Sequence, residues 1–225
     1  MISWPMFALI FAAFFVTHTI PVRPKVKARL QSYLGSIGFT MAYSALSLVM
    51  LGFVIAAAGN APYVQLWPQA IWQYYVVDIG MFFVCVIIAM TLGRPNPFSF
   101  GGANNDQFNP ARPGIVSLTR HPLLTALALW AGLHLLPNGD LAHVIMFGIF
   151  FGFAIFGRKI IDLRKQSLMG PSEWHARVKD IKSEGILYPP DLWFSFLARL
   201  SIAVIFYAAL VLLHKPILGV PPVPS

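Results

Sequence analysis

Six apolar stretches, each about as long as a helix needs to cross a bilayer, dominate this chain. They run roughly over residues 4–20, 35–58, 71–92, 119–136, 141–157 and 192–213. With 57% of its residues hydrophobic and 11% charged, the sequence carries more apolar surface than a soluble fold covers. The expected fold is therefore all-α: a polytopic membrane helix bundle of about six transmembrane helices, in a single domain over residues 1–225.

The charges set an orientation. Arg23, Lys25, Lys27 and Arg29 follow the first stretch, and Arg94, Arg112 and Arg120 follow the third. Arg158, Lys159, Arg164, Lys165, Arg177, Lys179 and Lys182 follow the fifth. By the positive-inside rule these loops face the cytoplasm and both termini face away from it. The net charge of +8 is thereby explained as topology. No zinc-finger spacing, helix-turn-helix pattern or RNA-binding signature is present, so membrane lipid is the expected partner and nucleic acid is not. No basic residue precedes the first stretch, as a cleaved signal peptide would require, so that stretch is expected to be retained. The single cysteine, Cys85, lies inside an apolar stretch and is read as packing.

The connections are unequal. Pro137-Asn138-Gly139-Asp140 predicts a tight turn that makes a hairpin of stretches four and five, with Asp140 as N-cap. Residues 93–118, rich in Gly, Asn and Pro, read equally as a functional lid or a disordered connector. Residues 160–181 alternate apolar and basic side chains and read as helical pieces on the cytoplasmic membrane surface. Gly148 and Gly152 form a GxxxG pattern suited to close helix packing.

Ionisable groups inside a membrane are functional candidates by default, and here they are chiefly histidines. His18 ends the first stretch, and His121 opens the fourth behind Arg120 and ahead of Pro122. His134 lies thirteen residues further on, about 20 Å along the axis and roughly 140° around it. By depth, His18 and His121 share a level. His134 falls in the opposite layer, where Asp78 or His143 could join it. Neutral imidazole ligates metals and haem iron. The plainer alternative is that each histidine bonds a neighbouring helix or interfacial water. Pro122 suits a first helical turn, so Arg120 and His121 stand at a helix N-terminus, which favours anions.

Several of these motifs together resemble the NnrU family. They are Phe15-Val16-Thr17-His18-Thr19-Ile20-Pro21, Thr119-Arg120-His121-Pro122-Leu123, and the run from Leu129 through His134-Leu135-Leu136-Pro137-Asn138-Gly139-Asp140. Gly157-Arg158-Lys159 and Gly170-Pro171-Ser172-Glu173-Trp174 continue the likeness, which is strongest over residues 7–190. It implies a multi-pass protein of the bacterial inner (cytoplasmic) membrane that supports nitrite and nitric oxide metabolism, with denitrification enzymes as partners. The similar ζ-carotene isomerase branch binds haem b, which implies haem here with His18 and His134 as iron ligands. Depth favours His18 with His121 instead, and both pairings stay open. Arg120 would then hold a haem propionate or another anion. A looser similarity to isoprenylcysteine carboxyl methyltransferases rests on Arg-His-Pro before a hairpin and a later Gly-x-x-x-Trp. It implies S-adenosylmethionine binding, although Asp162-Leu163-Arg164-Lys165 replaces that family's paired glutamates. An accessory, assembly or transport protein without catalysis is the third reading.

Overall fold

The computed structural model describes residues 1–183 and 193–222, and every described regular element is helical. The seven helices are α1 (Trp4–Thr19), α2 (Pro24–Asn60), α3 (Ile71–Thr91), α4 (Pro122–Leu135), α5 (Leu141–Met169), α6 (Pro171–Ser183) and α7 (Trp193–Leu218). Four of them, α2, α3, α5 and α7, are long and apolar enough to cross a membrane. Helices α1 and α4 are apolar but have only 16 and 14 residues. At 1.5 Å per residue they reach about 24 and 21 Å, short of a hydrocarbon core of about 30 Å. The chain divides into two compact units, Met1–Trp67 with Gly139–Met146, and Pro68–Asn138 with Phe147–Ser225.

In the first unit α1 packs on α2. Ser3 caps α1 by accepting a hydrogen bond from the Met6 amide, and Pro5 occupies the first turn, where no amide hydrogen is required. Phe7, Phe11 and Phe14 recur every three or four residues and form the buried stripe of α1. Helix α2 is broken at Gly35, whose backbone (φ 71°, ψ 170°) is open essentially to glycine alone. The basic piece 24–34 thus changes direction before the apolar piece begins, where the sequence suggested a plain loop. The expected turn is also built. The Gly139 carbonyl accepts from the Leu66 and Trp67 amides, and Asp140 Oδ1 accepts from the His143 amide, as an N-cap should.

In the second unit α3 lies against both α4 and α7. Gly80 on α3 admits Leu133 of α4 so closely that an added Cβ would stand 2.5 Å from a Leu133 methyl. Cys85 and Ala89 of α3 meet Ala203 of α7 in a fully packed contact, as expected of an inert thiol. Two polar contacts fasten the same pair. Tyr207 donates to Asp78, and Arg199 Nη1 donates to the carbonyls of Ala89 and Leu92, each at 2.7 Å. Arg199 therefore caps the end of α3, which leaves those carbonyls satisfied.

The structure bears on further expectations. Helix α5 runs without interruption to Met169, so 158–169 continue the membrane helix rather than forming separate surface pieces. Among the described residues nothing approaches within 4 Å of where a Cβ on Gly148 or Gly152 would stand, so that pair mediates no close packing within the chain. The segment 93–118 is not a disordered connector. Its Phe98 and Val116 are buried with Trp174 and Ile181 of α6 in a small core of their own. Trp174, Val178 and Ile181 of α6 thus pack against protein.

Candidate functional site

The site is built around Pro122. A residue before proline is driven off the helical conformation, and His121 accordingly adopts φ −119°, ψ 61° as the N-cap of α4. Its carbonyl accepts from the Thr125 amide and hydroxyl, and its own amide donates to Thr119 Oγ1. Behind it, buried Asn96 organises the preceding segment. Its Nδ2 donates to the Arg120 carbonyl, its Oδ1 accepts from the Phe98 amide, and its amide donates to Asn105 Oδ1. Backbone and ring of His121 are thereby fixed before any ligand is considered.

The His121 imidazole is buried and engaged at both nitrogens. Nε2 lies 2.9 Å from Asp162 Oδ1, and Nδ1 lies 3.0 Å from Ser99 Oγ. A carboxylate only accepts, so Nε2 carries the proton. In a neutral ring Nδ1 then accepts from the Ser99 hydroxyl. The second Asp162 oxygen accepts from Arg120 Nη2 at 2.8 Å. The Arg120 guanidinium also lies over the Trp174 ring, 5.8 Å from its centroid, which adds a cation–π contact. Arg120, His121 and Asp162 share the lining of a cavity of about 510 Å³. One face of α5 supplies Ile155, Arg158, Lys159, Asp162, Leu163 and Gln166, at helical spacing.

The other two histidines are held differently. The His134 ring packs against Trp130 and Phe147, and its Nδ1–H donates to the Trp130 carbonyl at 2.8 Å. In the first unit His18 is stacked on Phe14, with ring centroids 5.4 Å apart. Its Nδ1 lies 3.2 Å from the Tyr43 hydroxyl and 3.3 Å from Ser47 Oγ, while Tyr43 donates to the His18 carbonyl. Among the described residues neither Nε2 has a hydrogen-bond partner.

These environments differ in what they would leave free for a metal. A ligating imidazole offers one nitrogen to the metal and donates the other N–H to a carbonyl or a similar acceptor. His134 has this arrangement, and His18 keeps a free Nε2 with its Nδ1 held. His121 would have to give up Asp162 or Ser99 to reach a metal. Among the described residues there is no group of three or more His, Cys, Asp or Glu side chains suited to a metal ion.

Of the residues singled out in the sequence, the structure joins Arg120 to His121 and separates His121 from His134 by the length of α4. Asp78 pairs with Tyr207 rather than with His134. Asp162, Ser99 and Asn96 were not among the candidates. Asp162 had a usable signal, since continuing the helix past Gly157 puts it on the face of Ile155, Arg158 and Lys159. Ser99 and Asn96 sit in irregular chain and gave none.

Fold and site together define a helical membrane protein with an Arg-His-Asp cluster, built on a buried His121, at the N-terminal end of one apolar helix. The chain belongs to the NnrU family: the family model described as NnrU protein matches residues 6–222. No curated protein and no solved structure matches it.

Proposed function

We propose that this protein is a six-span member of the bacterial inner membrane that supports nitrite and nitric oxide metabolism through haem b, with His18 and His134 each a candidate iron ligand. In this reading α1 and α4 also span, both termini face away from the cytoplasm, and denitrification enzymes are the partners. The observation that carries the ligand choice is the hydrogen bonding of the rings. His134 donates Nδ1–H to a carbonyl four residues back and keeps Nε2 for iron, and His18 holds Nδ1 between Tyr43 and Ser47. His121, with both nitrogens engaged, serves as a structural member of the Arg120–Asp162 cluster. Haem, when bound, supplies redox or isomerising chemistry tuned by its axial ligands and burial. The protein's part is to fix the two imidazoles and to surround them with apolar side chains such as Phe14, Trp130 and Phe147.

The test is the absorption spectrum of the detergent-purified protein, oxidised and then reduced with dithionite, from cells supplied with haem precursor. A Soret band with sharp reduced α and β bands is expected, lost in both His18→Ala and His134→Ala and kept in His121→Ala. A colourless protein, or a spectrum indifferent to His18, overturns the reading.

A further inference from the structure

The cavity beside Asp162 holds more positive charge than the protein itself compensates. Arg120, Arg158 and Lys159 line it against a single carboxylate, and with His121 neutral the lining carries a formal charge of +2. Asp162 spends one oxygen on Arg120 and the other on His121. Arg158 has no hydrogen bond or ion pair among the described residues. The Nε–H groups of Arg120 and Arg158 are both buried without an acceptor. Buried donors are nearly always satisfied, so two orphaned N–H groups on one cavity point to an acceptor that belongs there.

The rest of the lining describes that acceptor. Thr119, Ser117 and Gln166 add neutral polar groups beside the cations. Ile155 stands on the same face of α5, one turn further along the apolar part of the helix, and Leu163 flanks Asp162. Both are substantially exposed. The cations on this helix face are thus followed toward its apolar part by Ile155, and the volume of about 510 Å³ suits a headgroup with the start of a chain.

We propose that this cavity binds a phosphate monoester carried on an apolar chain, with the phosphate against Arg120, Arg158 and Lys159 and the chain along Ile155. The charge decides between headgroups. A phosphate monoester dianion balances +2, whereas one carboxylate or one phosphodiester does not. Guanidinium groups bind such oxygens through paired, charge-assisted hydrogen bonds, which would satisfy the two orphaned Nε–H groups. The site uses neither His18 nor His134, so it stands apart from the haem reading.

The test is calorimetric titration of the detergent-purified full chain with didecanoyl phosphatidic acid, n-dodecyl phosphate, didecanoyl phosphatidylcholine and inorganic phosphate. Saturable binding of phosphatidic acid, with none of phosphatidylcholine, is expected. Arg158→Gln and the exposed Lys159→Gln should each weaken it about tenfold, the loss of one charge-assisted contact. Equal binding of dodecyl phosphate assigns recognition to the phosphate and chain, and its failure to bind assigns recognition to a glycerolipid. Both outcomes support the proposal. Inorganic phosphate binding as tightly as the lipid overturns the amphiphile. Unchanged binding in Lys159→Gln, with unfolding temperature and haem content unaltered, overturns the site.

Discussion

Asp162 on α5 and His121 at the start of α4, 41 residues apart in sequence, meet at 2.9 Å. The contact ties an N-cap, which proline has already forced out of helical geometry, to the last third of the next helix. It also turns Arg-His-Pro from a linear motif into two sides of a three-residue cluster whose third side is a carboxylate.

Removing that carboxylate should be felt as stability. Asp162→Ala leaves Arg120 without its anion and His121 Nε2–H without an acceptor. The expected loss is about 1.5–3 kcal/mol, the range for hydrogen bonds to charged groups. Asp162→Asn keeps an acceptor for only one of the two donors and should fall between Ala and wild type. Apparent unfolding temperature in one detergent orders the three. Asn as damaging as Ala would argue that charge matters more than the hydrogen bonds.

Tyr207 and Asp78 offer a cleaner measurement, because their contact joins just two helices, α3 and α7. Side-chain hydrogen bonds between membrane helices average about 0.6 kcal/mol, with a maximum of about 1.7. A carboxylate acceptor in apolar surroundings belongs near the upper value. A double-mutant cycle of Tyr207→Phe and Asp78→Asn, read by unfolding free energy, should give a coupling well above the average. A coupling near zero would mean that both groups find other partners at no cost.

Gly80 tests helix packing. Gly80→Ala drives a methyl into Leu133, an overpacking cost of about 1–3 kcal/mol offset by about 1 kcal/mol of helix propensity, so a net loss of up to about 2 kcal/mol is expected. Leu133→Ala in the same chain should restore much of it, since the intruding methyl then meets space. Failure of the second change to help would place the strain in the helix backbones instead.

Asn96 should be the most sensitive position of the 93–118 segment. Asn96→Ala removes both side-chain hydrogen bonds at a buried site, leaving the Arg120 carbonyl without that donor and the Phe98 amide without that acceptor. A loss of about 2–3 kcal/mol follows if two such bonds are unreplaced. Asn96→Asp keeps the acceptor for Phe98 but loses the donor to Arg120, and should recover only part. Limited proteolysis within 93–118 reports the opening directly, with faster cutting in Asn96→Ala.

The helices were legible because apolar length is a strong signal, and the observed ends of α1, α3 and α4 lie within a few residues of those expected. What escaped were features decided by single contacts. Gly157 looked like an end because basic residues follow it, yet glycine inside a helix costs only about 1 kcal/mol relative to alanine, and α5 passes through. The Gly148/Gly152 pattern looked like an interface because spacing says nothing about what stands opposite. That Ser99 and Asp162 reach the two nitrogens of His121 was likewise beyond the sequence, since both contacts join distant segments. His134, by contrast, bonds the carbonyl four residues back, a contact implied by helical spacing alone.

The small core of Phe98, Val116, Trp174 and Ile181 has a consequence for how this protein comes apart. It is assembled from an irregular segment and from α6, which is too short and too polar to enter lipid. Apolar burial against water holds it together, as in a soluble domain, whereas helices in lipid associate by packing and hydrogen bonds. Urea weakens the first kind of stability by solvating apolar and peptide groups. Urea at concentrations that leave helix content intact should therefore release α6 first and bring Trp174 into solvent, so that tryptophan emission shifts before circular dichroism changes.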